Sequence, residues 1–247
     1  MAGVPTPGVQ VVGYRPLDPS LLVADGGRVE RIDLEPGVEL GYGLGERHCA
    51  GVLDDDGHRP CDRPAAPYCE AHTVPWSVAS NADSDEEHAI YLAAFAPATF
   101  KVGVTRSWRL TDRLREQGAD RAAHVRTAPD GRVAREIEAA IAESVGDAVR
   151  VATKRRGLHR SVDEERWERL LAGFDPVERF GFDYGLDLDA GAVPETLLTG
   201  TVRGVKGRLL VLDRDDTTYA VDMRELLGYE LREGADEGDR QSSLASF

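Results

Sequence analysis

Two short apolar segments and the charged stretch behind them limit most strongly what this chain can fold into. Residues 89–91 (Ala-Ile-Tyr) and 101–105 (Lys-Val-Gly-Val-Thr) have the length and side chains of neighbouring β-strands. Leu110 and Leu114 then share one face at helical spacing, and Gly118 stands where such a helix would end. The order strand, strand, helix predicts an α+β core in the middle of the chain.

The next segments extend this core. Residues 122–127 are rich in apolar and β-branched side chains and predict a third strand. Asp130 is a candidate N-cap for a helix from about residue 131 to residue 145. Residues 161–164 (Ser-Val-Asp-Glu) form a capping-box pattern that predicts the start of one more helix.

The charge of the chain changes sign along its length. The whole protein has a net charge of −14, but residues 101–160 hold 14 basic and 8 acidic side chains. A basic region inside an acidic protein is typical of a surface that binds a phosphate backbone. The sequence therefore predicts nucleic acid, DNA or RNA, as the partner, and the alternative is a set of arginines paired on solvated helix faces. The basic side chains predicted to contact nucleic acid are Arg106, Arg109, Lys154, Arg155 and Arg156.

The acidic surface and the scarcity of lysine also suggest where the protein works. Only 3 of the basic residues are lysine. Carboxylates stay hydrated when salt competes for water, so this composition favours a high-salt cytosol, with simple drift toward arginine as the alternative. The amino terminus has no secretory pattern and no apolar run reaches membrane-spanning length, so we expect a cytoplasmic protein without a membrane partner.

The three cysteines predict a metal site. An odd number of cysteines without an export signal disfavours a disulfide framework. Cys49, Cys61, Cys69 and His72 supply three thiolates and one imidazole, a tetrahedral zinc set, although His48 or His58 could replace His72. The segment between them is rich in Gly, Pro and Asp and has few apolar side chains to bury. Zinc binding would therefore supply the free energy that folds it. We expect a structural zinc, because four protein ligands leave no open position.

The two ends of the chain echo each other. Residues 21–25 (Leu-Leu-Val-Ala-Asp) resemble residues 209–213 (Leu-Leu-Val-Leu-Asp), with similar strand and turn patterns on either side of each. Each end therefore predicts an antiparallel β-meander, and the two are expected to pack on each other. Convergent hairpin chemistry is the alternative. The predicted organisation is an N-terminal meander (1–45), a zinc segment (46–80), the central core (86–158), a connecting helix (159–180), a C-terminal meander (181–232) and a disordered acidic tail (233–247).

Helix geometry ranks the charged residues of the core. On the helix 131–145, Glu138 borders the apolar stripe and Glu136 points toward solvent. On the helix that carries Leu110 and Leu114, Arg113 borders the stripe, while Arg109 and Arg115 point farther away. A carboxylate that holds a divalent ion and an arginine that neutralises phosphate are the groups phosphodiester hydrolysis most needs. A purely structural pair of Arg113 and Glu138 is the alternative.

The order of these residues resembles that of the GIY-YIG nucleases. Residues 89–91 and 101–103, followed by Arg113 and Glu138, stand where that family has its paired motifs, its helix arginine and its metal-binding glutamate. Together with the Cys/His cluster, the chain also resembles an uncharacterised prokaryotic family of haloarchaeal type with a GIY-YIG-like core. The resemblance implies a small three-stranded antiparallel sheet with helices. It also implies that Tyr91 shapes the site, Arg113 binds phosphate and Glu138 holds Mg²⁺ or Mn²⁺.

One departure from the GIY-YIG pattern concerns the chemistry directly. Lys101 stands where the second motif has its tyrosine, and Ala89 replaces a glycine of the first motif. A lysine acts as a base only when its pKa is strongly lowered by burial. Lys101 could instead contact phosphate, with His88 or Tyr91 as the base.

Three hypotheses follow from the sequence. The first is a divalent-metal-dependent endonuclease that uses Tyr91, Lys101, Arg113 and Glu138 and carries a structural zinc. The second is a non-catalytic nucleic-acid-binding protein with a degenerate nuclease core. The third is a protein-interaction scaffold without affinity for nucleic acid, which the salt dependence of binding would distinguish from the other two.

Overall fold

The computed structural model describes residues 8–54, 57–73 and 84–234, which divide into two compact units. The first unit joins the described residues up to 73 with residues 193–234, and the second is formed by residues 84–192. Both units contain β-sheet and helix, so the expected α+β class is confirmed. Within the described ranges, no helix is long and apolar enough to cross a membrane.

Strands make up most of the first unit, and most of the helices lie in the second. The strands are β1 (Val9–Arg15), β2 (Ser20–Asp25), β3 (Arg28–Asp33), β4 (Glu39–Arg47), β5 (Val52–Asp54), β6 (Gly57–Arg59), β7 (His88–Phe95), β8 (Thr99–Arg106), β9 (Arg121–Ala128), β10 (Glu178–Gly181), β11 (Val193–Pro194), β12 (Leu198–Lys206), β13 (Leu209–Arg214), β14 (Thr217–Asp222) and β15 (Tyr229–Glu233). The helices are α1 (Leu110–Glu116), α2 (Gly131–Val145), α3 (Val151–Arg156), α4 (Glu164–Leu171) and α5 (Met223–Leu226), with single 3₁₀ turns at Glu70–His72 and Ser107–Arg109.

The sheet of the first unit is built from two copies of one strand arrangement. Its order is β11-β14-β13-β12-β4-β15-β1-β2-β3. Strands β1–β3 form one antiparallel meander and β12–β14 form the other. The fourth strand of each copy leaves its own meander, because β4 pairs with β12 and β15 pairs with β1. The two ends of the chain are therefore intertwined in one sheet.

The pairing details repeat between the copies. The β1–β2 pair has a bulge directly after Val11, and the β12–β13 pair has one directly after Val202. The Gly37 N–H donates to the Val202 carbonyl at 2.8 Å, and the Gly228 N–H donates to the Val11 carbonyl at 2.8 Å. Both glycines have positive φ, 90° and 91°. This internal two-fold pattern supports a duplication over chance similarity of hairpins.

The second unit contains a four-stranded antiparallel sheet in the order β10-β9-β7-β8. The expected three strands are present as β7, β8 and β9, but the expectation of only three is wrong, because Glu178–Gly181 adds β10 alongside β9. Helix α1 packs on one face of the sheet through Leu110 and Leu114. Helices α2 and α4 cover the other face, where β7 buries Ile90 and Leu92.

Local capping fixes the helices of the second unit. The Asp130 carboxylate accepts a hydrogen bond from the Val133 N–H at 2.8 Å, so α2 begins at Gly131, as predicted. Gly118 follows α1 with φ +68°, the left-handed conformation expected of a residue just beyond a helix end. The predicted capping box was misplaced by two residues, because Asp163, not Ser161, caps α4 by accepting from the Arg166 N–H at 3.0 Å.

The predicted acidic tail falls mostly beyond the described part of the chain. Glu233 is the last residue of β15, so the boundary at residue 233 was too early. Residues 235–247 lie outside the described residues.

Candidate active site and metal centre

The two predicted strand motifs lie side by side on one face of the second unit. Tyr91 on β7 stands opposite Gly103 on β8, and Lys101 stands opposite Ala93. Because side chains alternate between the faces of a strand, Tyr91 and Lys101 point to the same side of the sheet. This is the side on which α1 packs.

Gly103 provides the space that the Tyr91 ring occupies. A Cβ atom at Gly103 would lie 2.5 Å from the Tyr91 hydroxyl oxygen and 2.6 Å from Cζ, closer than atoms can approach. The hydroxyl of Tyr91 accepts a hydrogen bond from Gln117 Nε2 at 2.5 Å, and the carbonyl of Gln117 accepts from Lys154 Nζ at 2.8 Å. Tyr91 is 1% exposed and is therefore held in one position by packing and hydrogen bonding.

Arg113 projects from α1 toward this position. Its guanidinium lies 3.6 Å from the Glu116 carboxylate, and its side chain is 46% exposed. Arg109 is 40% exposed, so burial does not distinguish Arg113 from Arg109 as the sequence suggested. Arg113 differs from Arg109 in its position, because Arg113 acts electrostatically on both Tyr91 and Lys101.

Glu138 lies on α2, the helix that covers the opposite face of the sheet, and its charge acts on both Tyr91 and Lys101. Its side chain is 13% exposed, whereas that of Glu136 is 65% exposed, the order that helix geometry predicted. Glu138 Oε2 accepts a hydrogen bond from Arg135 Nη1 at 2.8 Å, an ion pair that sequence reasoning missed. The single carboxylate of the cluster thus already has one cationic partner. Arg135 stands three residues before Glu138, which is the signal that could have revealed the pair.

The two titratable groups on the sheet have pKa values shifted by this environment. Burial raises the pKa of Tyr91, the negative charge of Glu138 adds to that effect, and Arg113 and Gln117 oppose it. Burial and the positive charge of Arg113 lower the pKa of Lys101, against the opposing effect of Glu138. Both shifts favour the neutral forms of Tyr91 and Lys101. The shift of Lys101 has the direction that a role as proton acceptor requires.

His88 is not placed to take part. It stands three residues before Tyr91 on β7, so the alternation of side chains places it on the opposite face, where it is 3% exposed. Its Nδ1 lies 2.7 Å from the Glu86 carbonyl. The geometry leaves Tyr91 and Lys101 as the groups that face the helix arginine.

The predicted nucleic-acid contacts fall into two groups. Arg106 and Arg109 flank the 3₁₀ turn before α1, where they pair with Glu86 at 2.6 Å and Glu116 at 2.7 Å. The remaining three lie on α3. Its Lys154 ammonium donates to the Gln117 carbonyl and stands 4.3 Å from the centre of the Phe95 ring, so it is engaged inside the unit. Arg155 is partly exposed and Arg156 is exposed.

Trp108 is a surface residue that sequence reasoning missed. It is 68% exposed in the turn between β8 and α1, and the guanidinium carbon of Arg109 lies 6.0 Å from the centre of its ring. An aromatic side chain between two arginines, in the sequence Arg-Ser-Trp-Arg, is the signal that could have revealed it.

A separate metal centre lies in the first unit. The candidate ligand atoms of Cys49, Cys61, Cys69 and His72 all lie within 4.8 Å of one another. His72 Nδ1 is 3.3 Å from the Cys49 sulfur and 3.4 Å from the Cys69 sulfur, and the Cys61 and Cys69 sulfurs are 4.0 Å apart. Zinc bonded tetrahedrally to such ligands would separate them by about 3.6 to 3.8 Å. The donor set therefore fits a tetrahedral metal ion.

Short turns and backbone hydrogen bonds position these ligands. The 3₁₀ turn at Glu70–His72 sets the imidazole beside Cys69, and the Cys69 carbonyl accepts from the His72 N–H at 2.9 Å. The Cys49 N–H donates to the Arg63 carbonyl at 2.8 Å. Gln10 Nε2 donates to the carbonyls of Cys49 and Gly228, which ties the centre to the sheet.

The two alternative histidines have other partners. His48 Nδ1 is 2.9 Å from the Cys61 carbonyl, and His58 Nε2 is 2.8 Å from the Ala50 carbonyl. His72 is therefore the histidine that the structure places in the cluster.

Comparison with known proteins adds one relationship. Residues 72–181 match a family described as a protein of unknown function (DUF2797), so the expected resemblance to an uncharacterised family is confirmed for that part of the chain. The match contains Tyr91, Lys101, Arg113 and Glu138 and includes His72 as the first matched residue. The chain has no significant match among curated proteins or among solved structures.

Proposed function

We propose that the second unit is a divalent-metal-dependent phosphodiester hydrolase acting on nucleic acid, with a GIY-YIG-like core. The observation that carries this proposal is that Arg113 and Glu138, from two helices, both act electrostatically on Tyr91 and Lys101, which share one face of two neighbouring strands. In this assignment Arg113 binds the phosphate, Glu138 holds the metal ion, and Lys101 takes the place of the second motif tyrosine.

Three features support this assignment of roles. Arg113 is nearly half exposed, so its guanidinium is accessible to a phosphate oxygen. Burial and Arg113 lower the pKa of Lys101, which is the direction that a role in accepting a proton from the attacking water requires. Gly103 and Gln117 hold Tyr91 in one position, so that its hydroxyl has a fixed place on the face that carries Lys101.

A specific observation favours a second candidate, a nucleic-acid-binding module without catalysis. Glu138 is paired with Arg135 at 2.8 Å, and a divalent ion would have to share or replace that partner. If the pair persists, Glu138 is not available to a metal ion, and the site would bind a phosphate through Arg113 without cleaving the backbone.

Glu138→Ala separates the two candidates. Labelled single- and double-stranded DNA and RNA are incubated in high KCl with Mg²⁺ or Mn²⁺, and cleavage and binding are followed together. The hydrolase proposal requires cleavage that Glu138→Ala abolishes and that Glu136→Ala, an exposed position on the same helix, retains. Binding without cleavage in all three proteins supports the binding module. Charge reversal at Arg155 and Arg156 should then weaken binding and flatten its salt dependence.

We also propose that the metal of the first unit is zinc in a structural role. Three thiolates and one imidazole are a zinc donor set, and four protein ligands fill a tetrahedral shell. Among the described residues 49–54 and 57–73 that carry them, the short β5–β6 hairpin is the only regular sheet, so metal binding would account for the order of this segment.

A further inference from the structure

We propose that Trp108 is a stacking platform for an unpaired base, so that the second unit binds single-stranded nucleic acid or a strand with bases splayed out of a duplex. This inference deepens the proposed function and rests on its assumption that nucleic acid is the ligand. It names the structural class of substrate, which the cluster around Tyr91 does not determine.

The exposure of Trp108 is the first observation. Of the large apolar side chains that the described residues leave exposed, Trp108 has the highest exposed fraction, 68%. Burial of a side chain of this size is strongly favourable, so an exposed tryptophan marks surface that a ligand can cover. Every nucleobase presents a flat π-face of matching size.

The surroundings of Trp108 match the charge of a nucleic-acid strand. The Arg109 guanidinium lies 6.0 Å from the centre of the indole ring, where it can also stack on a base or bind a phosphate. Arg109 Nη2 is held by Glu116 Oε1 at 2.7 Å, which limits its movement relative to the ring. Arg106 stands at the other end of the same turn.

A chain of contacts joins this platform to the candidate active site. Glu116 contacts both Arg109 and Arg113, at 2.7 and 3.6 Å. From Trp108 to Arg113 the backbone rises about 8 Å along the 3₁₀ turn and α1. In the proposed complex the strand runs from Trp108 along α1, so that a phosphate next to the stacked base contacts Arg113. Duplex DNA keeps its bases stacked inside and offers no free face to the indole.

The test compares oligonucleotides that differ only in their bases. Binding of labelled oligothymidylate and of an abasic oligomer of equal length is measured by fluorescence anisotropy without added Mg²⁺ or Mn²⁺. Trp108→Ala should weaken binding of oligothymidylate by about 5- to 150-fold, the range expected for loss of one stacked base. Trp108→Phe should lose much less, because it retains an aromatic face. The abasic oligomer should bind weakly and respond to neither substitution.

A control variant and three possible results decide whether Trp108 is a stacking platform. Val177 is 67% exposed in the same unit, and Val177→Ala should leave binding unchanged. Equal affinity of wild type and Trp108→Ala for oligothymidylate, or equal affinity of wild type for both oligomers, would overturn the platform even if Glu138-dependent cleavage is found. Trp108-dependent binding without any cleavage would support the platform and refute the hydrolase. Absence of nucleic-acid binding at low salt would overturn both.

Discussion

Gly103 and Tyr91 face each other across two neighbouring strands so closely that the glycine has no room for a side chain. Its Cβ would lie 2.5 Å from the tyrosine hydroxyl oxygen. The tyrosine ring therefore lies across the glycine backbone and is 1% exposed. This contact fixes the hydroxyl beside Gln117, on the face that also carries Lys101.

Gly103→Ala should therefore displace Tyr91. The expected cost is about 1 to 3 kcal/mol of unfolding free energy, typical of overpacking in a well-packed core, measured by urea denaturation. Gly173→Ala is the matched control in the same unit, since the nearest atom to its Cβ would be at an ordinary 3.7 Å. Equal stability of the two variants would show that the contact does not constrain Tyr91.

Lys101 should lose its proton below the ordinary lysine pKa of 10.5, because burial and Arg113 both disfavour its charge. The chain has three lysines, so their Nζ signals can be assigned by NMR in single-lysine substitutions and followed against pH. Arg113→Gln should raise the pKa of Lys101, whereas Arg132→Gln, on the exposed side of α2, should not. A Lys101 side chain that titrates at the ordinary lysine pKa of 10.5 would contradict the shift.

The same shift makes stability depend on pH. The folded state binds Lys101's proton less tightly than the unfolded state, so this group destabilises the fold while both states are protonated. That penalty disappears as pH rises from the lowered pKa toward 10.5. Lys101→Met should remove this contribution, which is measured as a difference in the pH dependence of urea unfolding between the variant and the wild type.

Metal should be lost on substitution of a cluster residue and retained on substitution of a neighbouring histidine. Cys49→Ser and His72→Ala should each lose tightly bound zinc and speed hydrogen exchange of the segment 57–73, because metal binding and folding are coupled there. His48→Gln should keep one equivalent of metal, measured by elemental analysis. Full metal content in His72→Ala, with loss in His48→Gln, would reverse the assignment of the fourth ligand.

Gly37 and Gly228 occupy equivalent positions in the repeat. Substituting each by alanine distinguishes the cost of backbone strain from the cost of steric overlap. Gly37 and Gly228 have nearly the same positive φ, but a Cβ at Gly228 would lie 2.0 Å from the His48 carbonyl oxygen, whereas one at Gly37 meets nothing within 4 Å. Gly37→Ala should cost about 1 kcal/mol, from conformational strain. Gly228→Ala should cost clearly more in thermal and urea unfolding. A similar loss of stability in the two variants would mean that the backbone at His48 shifts to make room for the added methyl group.

Much of the second unit could be predicted because its signals are local. The helix Gly131–Val145 follows from one capping residue and one apolar stripe. Strand β10 was missed because Glu178–Gly181 is only four residues long and mostly exposed, and its pairing with β9 is a non-local contact. The ion pair of Glu138 and Arg135 was missed because a glutamate at the border of an apolar stripe has the same sequence pattern whether it binds a metal ion or a neighbouring arginine.

In the first unit, the sequence revealed the repeat but not its register. Sequence similarity aligns Leu21 with Leu209, whereas strand pairing makes Leu21 equivalent to Leu210. The difference arises because the connection between β1 and β2 is longer than the two-residue turn between β12 and β13. The exchange of β4 and β15 between the copies could not be predicted, because a strand pattern does not identify its partner.

Cleavage by variants of Lys101 tests most directly whether the four converging residues form a working active site. Single-turnover cleavage of labelled nucleic acid is started with Mn²⁺ in wild type, Lys101→Tyr, Lys101→Met and Glu138→Ala, with a cooperative thermal unfolding transition in each protein as the control for folding. We expect cleavage by wild type and by Lys101→Tyr, which restores the tyrosine of the GIY-YIG pattern, and a loss of about 100-fold or more in the other two. Undiminished cleavage by Lys101→Met and Glu138→Ala, or no cleavage by the wild type, would contradict the account.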